Sequence, residues 1–311
     1  MSAQDSATGS VWLIIGPGLD QNRVSAELAD AFEVRYGQRC RVVNTRELFL
    51  GISAGRLLLL DQRGRELSAP RVAYARLSTP GLSTDREIML LRHLEAMGTV
   101  LVNPISAVLS CVNKFWQLQD LAAAGLPVPD TRTHLDAPLG QLVALGVSEP
   151  CVVKSVRGHR GNQVFLASDA EMLCGVQGSL RSDFPYLLQD YVAFSHGRDL
   201  RVVVVDGEAV AVQSHQAADG RLTSNLAQGG DFTVCPGRYP QAEELAIRAA
   251  QVLGLGVAGV DLLFCPDGQF LICEVNANVS WKAHAVAVTP AILAACDRRL
   301  QRTAVPQPLP I

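Results

Sequence analysis

The chain has 311 residues, 48% of them hydrophobic and 18% charged, a balance that fits a folded protein with several cores and excludes extensive disorder. A formal net charge of -3 leaves no basic footprint for nucleic acid or an anionic membrane surface, and no apolar run reaches the roughly 18 to 20 residues of a membrane-spanning helix. The amino terminus, MSAQDSATGS, has no basic segment leading into an apolar stretch, so a cytoplasmic protein is expected.

In chain order, VWLII at 11–15 predicts a strand, 22–36 a helix, and RCRVV at 39–43 a second strand, which together make a strand–helix–strand unit. RLLLLDQRGREL places a turn, Gln62 to Gly64, between extended segments, and VAYAR at 72–76 is another strand. STDREIMLLRHLEAMG opens with Ser and Thr ahead of acidic residues, carries apolar positions at helical spacing and closes on Gly98. After the strand VLVN, the stretch NPISAVLSCVNKFWQLQDLAAAGLPVPDT predicts one helical segment ended by Gly125 and two prolines, with a lobe boundary near 112. CVVKSV, the loop RGHRGNQ and VFLAS read as a hairpin, followed by a helix near 168–179 and the strand LLQDYV. Extended runs follow at DLRVVVVDG, EAVAVQSH and SNLAQGGDFTV, then a helix over QAEELAIRAAQVLGLG. VAGVDLLFC and FLICEVNAN flank the turn PDGQ ahead of a last helix at about 287–302, and the tail PQPLPI is expected to dock lightly or not at all.

Eight cysteines form no CxxC pair and sit mostly in apolar runs, as reduced, buried thiols would. Among the 27 basic residues only Lys114, Lys154 and Lys282 are lysines, so a retained lysine can be there for its own chemistry, such as a phosphate contact. The strongest local signal is Asp261 with Glu274 and Asn276: two apolar strands joined by PDGQ pair as a hairpin and bring these oxygen ligands together, as Mg2+ on ATP phosphates requires. Strand-end carboxylates facing water are the plainer reading. Lys154 precedes a loop in which Gly158 and Gly161 allow backbone amides to approach phosphate oxygens, with Arg157, His159 and Arg160 adding charge. A simple hairpin tip would look the same. Lys114 in its helix is by itself an ordinary solvated lysine.

The order of these segments over about 70–300 resembles the ATP-grasp fold, and in particular the RimK-type carboxylate–amine ligases. The matching stretches are AYARLS, LRHLEAMG, VNP, NK with GLPVPDT, VVK, QDYV, DLRVVVVDG, SNLAQGG, LGLGVAGVDLL and EVN. The resemblance implies an α/β and α+β architecture, with a Rossmann-like (pre-ATP-grasp) domain at 1–112, a small ATP-grasp lobe at 113–190, a large lobe at 191–302 and a tail at 303–311. It implies that Lys114, Lys154, Gly158 and Gly161 meet the nucleotide phosphates, that Asp190, Tyr191 and Val192 form the adenine hinge, and that Asp199 lies at the ribose. Arg201 would face the transferred phosphoryl group, Ser224 and Asn225 would line the nucleotide and substrate site, and Asp261, Glu274 and Asn276 would be the metal ligands. The implied cofactors are ATP and Mg2+, two ions, with Mn2+ as an alternative metal.

The implied reaction converts a carboxylate to an acyl phosphate, which an amine then attacks, releasing ADP and phosphate. Its partners are a small carboxylate and an amine, or a peptide or carrier protein, and a homo-oligomer is expected by resemblance. The rival readings are an ATP-grasp kinase acting on a hydroxyl, and a catalytically silent nucleotide-binding module.

The chain departs from the RimK-type pattern in three places. Gln163 stands for the third glycine of the phosphate loop. Ser214, His215, Thr223 and Gln228 replace the basic residues of glutamate-adding members, which removes natural partners for an acidic amino acid and predicts that glutamate is not added in the family's usual way. His215 reads either as an anion contact or proton acceptor, or as a strand histidine with no chemical task. Asn278-Val279-Ser280-Trp281-Lys282 replaces a small-residue and proline segment, so Trp281 would shape an apolar wall and Lys282 either pairs with a carboxylate or decorates the surface.

Overall fold

The computed structural model describes residues 10–78, 82, 85–135, 137, 139–146, 148–157, 164–177, 185–217, 222, 230–282 and 284–303. Strands β1 (Val11–Ile15), β2 (Cys40–Asn44), β5 (Val72–Arg76) and β6 (Val100–Leu101) form a parallel sheet in the order β2-β1-β5-β6. Helix α1 (Arg23–Tyr36) returns the chain from β1 to β2, and α2 (Arg86–Ala96) from β5 to β6. Every residue of β1 is buried, because its alternate side chains enter two different cores: Leu13 packs with Leu28 and Phe32 of α1, while Trp12 and Ile14 pack with Leu90, Leu91 and Leu94 of α2. The helices therefore cover opposite faces, and the strand order reverses between β1 and β5.

Two local readings change. Strand β3 (Leu48–Ser53), absent from the sequence reading, pairs with β4 (Arg56–Asp61) across a two-residue loop whose Ala54 (φ 47°) and Gly55 (φ 76°) are both left-handed. The stretch expected as one helix is two, α3 (Ile105–Val112) and α4 (Lys114–Ala123), broken at Asn113 (φ -116°, ψ 120°). Asn113 leaves the helical region because its side chain caps the second helix, accepting from the amides of Phe115 and Trp116 at 2.8 and 3.3 Å. Asn113→Ala is expected to cost about 1 kcal/mol, read as a fall of roughly 2–4 °C in the thermal midpoint.

A second sheet, antiparallel, has the order β7-β10-β8-β9, from Thr131–Thr133, Tyr186–Asp190, Cys151–Ser155 and Val164–Ala167, and carries the short helices α5 (Leu139–Ala144) and α6 (Ala170–Gln177). The third sheet is antiparallel in the order β13-β12-β11-β14-β15: β11 is Arg198–Val205, β12 Glu208–Gln216, β13 Asp231–Val234, β14 Val257–Phe264 and β15 Phe270–Asn276. Helix α7 (Pro240–Val252) buries an alanine stripe, Ala242, Ala246, Ala249 and Ala250, against its apolar face. The last helix, α8 (Val288–Thr303), crosses back to the first sheet, where Ile292, Ala295 and Cys296 share a core with β1, α1 and β5.

Candidate active site

The three sheets surround one cleft of about 1680 Å³. The hairpin expected across PDGQ forms, and its register sets Asp261 directly opposite Glu274 and Gly259 opposite Asn276. On the other side of β14, Arg201 lies opposite Asp261, and further along β11 Asp199 lies opposite His215 of β12. Strand pairing thus gathers polar and charged groups from four neighbouring strands. Each of these residues alternates with core positions, such as Leu200, Val260, Leu262 and Val275, that fill the apolar face below.

Arg201 grips Asp261 with two parallel bonds, Nε to Oδ1 and Nη2 to Oδ2, both 2.6 Å, and Asn276 Nδ2 donates to the same Oδ2 at 3.2 Å. Lys114, first residue of α4, reaches Glu274 Oε1 with Nζ at 3.0 Å, while its backbone amide donates to Val156 O at 2.8 Å and ties the helix to the end of β8. Lys154 of β8 is buried and its Nζ stands 4.0 Å from Cys273 Sγ. Burial raises Asp261 above the ordinary carboxylate range against the pull of Arg201. Burial also pushes Glu274 upward, but Lys114, Lys154 and then Arg201 outweigh it and hold this carboxyl low and ionised. Burial pushes the Cys273 thiol up, so it stays neutral beside Lys154.

At the other wall, Asp190 ends β10 and accepts from Ser148 Oγ, and Tyr191 and Val192 continue along the cleft, with Tyr191 Oη 2.7 Å from His196 Nδ1. His215 Nδ1 is 3.3 Å from Asp199 Oδ2, and its Nε2 is buried without a hydrogen-bond partner. Trp281 and Lys282 both line the cleft, the tryptophan 4% exposed under the Arg76 guanidinium. The structure therefore brings Lys114, Lys154, Asp190, Tyr191, Val192, Asp199, Arg201, Asp261, Glu274 and Asn276 to one cleft. Gly158, Gly161, Ser224 and Asn225, like Gln163, Thr223 and Gln228, lie outside the described residues.

The residue types could suit a hard cation carried on phosphates: two carboxylates face each other across the hairpin with an asparagine amide beside them, and magnesium keeps its other positions for phosphate and water. Among the described residues no cluster of three or more His, Cys, Asp and Glu side chains offers a self-contained cage. Sequence reasoning missed the first sheet's contribution. Arg23, Arg46, Arg86 and Glu87 also line the cleft, although on the sequence they are ordinary polar residues of helix starts and a turn.

Residues 111–292 match the RimK-like ATP-grasp domain family. The chain is similar to beta-citrylglutamate synthase B of Danio rerio, 40% identical over 281 residues that cover 88% of this chain and 69% of that protein. It is also similar to N-acetylaspartylglutamate synthase A of Mus musculus, at 38% over 281 residues, 88% and 73% of the two chains. Among solved structures, the ATP-grasp ligase PsnB in complex with a phosphomimetic variant of its minimal precursor, Mg and ADP superposes with a TM-score of 0.66 at 18% identity, covering 94% of this chain and 98% of that one, a likeness of fold. With a family match over more than half its length and relatives of this identity along most of it, the chain belongs to the RimK-like ATP-grasp family and is an ATP-dependent ligase that forms carbon–nitrogen bonds.

Proposed function

We propose that the enzyme joins the amino group of an acidic amino acid, glutamate first among them, to a small polycarboxylic acid through an acyl phosphate. The observation that carries this reading is the convergence of Lys114, Lys154 and Arg201 on the carboxylates Asp261 and Glu274 in one cleft. The names of the relatives support the substrate class, since citrylglutamate and N-acetylaspartylglutamate are both glutamate amides of small acids. The sequence pattern around 214–228 argued against glutamate because its wall lacks basic residues. Arg23, Arg46, Arg86 and Lys282 at other edges of the same cleft supply cations from a different direction.

In this reading Lys114 and Lys154, with Gly158 and Gly161, receive the nucleotide phosphates, and Asp190, Tyr191 and Val192 receive the adenine with Asp199 at the ribose. Asp261, Glu274 and Asn276 would hold Mg2+, as two ions, and the Asn276 amide oxygen is free for this because its nitrogen donates to Asp261. When bound, the metal neutralises phosphate charge and draws electron density from the transferred phosphoryl group. Arg201 adds positive charge at that group while orienting Asp261, and Ser224 and Asn225 line the substrate side. The attacking amine must arrive uncharged, and the cleft has to exclude bulk water because water would hydrolyse the acyl phosphate.

The test is phosphate release from ATP and Mg2+ with L-glutamate plus citrate or N-acetyl-L-aspartate, with and without hydroxylamine. A hydroxamate of one acid, and an amide when glutamate replaces hydroxylamine, is the expected result. A phosphorylated product stable to hydroxylamine would instead identify a kinase, and ATP binding without turnover in any mixture a silent module.

A further inference from the structure

At the first sheet's end of the cleft lies a buried acid whose two carboxyl oxygens are unsatisfied among the described residues. Glu87, the second residue of α2, is 3% exposed and lines the cleft, yet neither carboxyl oxygen makes a hydrogen bond of ordinary geometry. Burial raises its pKa to about 7, eased only in part by the Arg86 charge and the Ser78 amide. The carboxyl packs closely on the backbone at one place: a Cβ built on Gly16 would fall 2.5 Å from Glu87 Oε1, so a side chain at position 16 would displace the carboxyl from where it lies. A buried polar group left unpaired costs about 1–3 kcal/mol.

Its position has a topological reason. Gly16 follows β1, and its amide donates to Arg76 O at the end of β5 at 2.8 Å, so Glu87 sits at the carboxyl ends of the two strands between which the sheet order reverses. That crevice is where open α/β sheets take ligands. The segment after the metal-site asparagine packs against it: Asn278 Nδ2 donates to Leu77 O, Arg76 Nη1 to Val279 O at 2.6 Å, and Arg23 Nη2 to Trp281 O at 2.8 Å. Two more buried polar atoms on this segment, Asn278 Oδ1 and Trp281 Nε1, also lack partners, and both residues line the cleft. Unpartnered acceptors and a donor therefore collect where the first sheet meets residues 278–281, with Arg23, Arg86 and Lys282 lining the same cleft.

We propose that this crevice holds the non-reacting end of the acid the ligase activates, and that Glu87 selects acids bearing a hydrogen-bond donor, such as a hydroxyl, amide N–H or ammonium, beside their carboxylates. The proposal rests on the ligase reading above and names the specificity element within it. A donor on the substrate supplies the partner Glu87 lacks. An acid without one leaves the carboxyl unpaired in a site the substrate has just closed to water, and that penalty discriminates. The cations Arg23, Arg86 and Lys282 pair with the remaining carboxylates.

The experiment compares ATP-dependent hydroxamate formation from acids matched for length: succinate against malate and N-acetyl-L-aspartate, and tricarballylate against citrate. In the wild type, kcat/KM for a donor-bearing acid should exceed that of its donor-free analogue at least tenfold. In Glu87→Met the ratio should collapse to below threefold, and Glu87→Gln, which keeps one acceptor oxygen, should restore part of it. A ratio near one in the wild type, or a preference that survives in Glu87→Met, overturns the inference while leaving the ligase reading intact. Hydroxamate from none of the acids would sink the proposed small polycarboxylic substrate class, and this inference with it. A thermal midpoint for Glu87→Met at or above that of the wild type is the further expectation, since an unpaired buried carboxyl has been removed. A large fall would mark Glu87 as a structural residue and count against the proposal.

Discussion

Arg201→Gln is expected to abolish turnover and to destabilise the protein by about 3–5 kcal/mol, the cost of leaving a buried charge without its partner. The guanidinium is the only cation bonded directly to Asp261 among the described residues, through two bonds of 2.6 Å, and both side chains are largely shielded, at 28% and 15% exposure. Glutamine cannot reproduce a charged two-pronged donor, and burial already raises Asp261, so the variant carboxyl should take up a proton or force the strands apart. If Asp261 is a metal ligand, Mg2+ with ADP should recover part of the lost stability, because the cation supplies the missing charge to the folded form. Thermal unfolding with and without Mg2+–ADP is the measurement. A midpoint that ignores the metal would remove Asp261 from the ligand set.

Glu274→Gln is the complementary case, with a larger effect on rate than on stability. Glu274 is held ionised against burial by Lys114, Lys154 and Arg201, so it presents a full negative charge in the middle of the cleft. Glutamine keeps the shape and an oxygen for Lys114 Nζ, now 3.0 Å from the carboxylate, but contributes no charge to a cation. Mg2+-dependent turnover should fall by about 10³-fold, on the scale of losing one preorganised electrostatic contact at a transition state. The thermal midpoint should fall by only roughly 2–4 °C, equivalent to about 1 kcal/mol. Unchanged turnover would show that the metal is bound elsewhere.

The two carboxylates in these experiments were legible before any fold was known, and the reason is local. Asp261 and Glu274 lie on strands joined by a short turn, so the alternation of apolar residues and the turn chemistry together place them side by side. Lys114 was legible as a site residue only through the family resemblance and not from its local pattern, because the break at Asn113 that starts a new helix there is visible only once the side chain is seen capping it. The β3–β4 pair was missed for a similar reason: the turn falls at Ala54-Gly55, a weaker signal than the polar stretch Gln62 to Gly64, and a run of leucines does not reveal its register.

What the sequence determined by itself was the order and kind of most elements, β3 and the break at Asn113 apart, the family they resemble, and the residues grouped by short-range pairing, because periodicity, turns and caps act over a few residues. Only the tertiary structure decided which distant pieces share the cleft: the crossing of Val288–Thr303 back to the first sheet, the grip of Arg201 on Asp261 sixty residues on, and the burial of Glu87 against Gly16. An acid in the first turn of a helix looks, in sequence, like one facing water and the helix dipole. Its burial depends on strand order and on a segment nearly two hundred residues later, and no local pattern encodes the desolvation that follows.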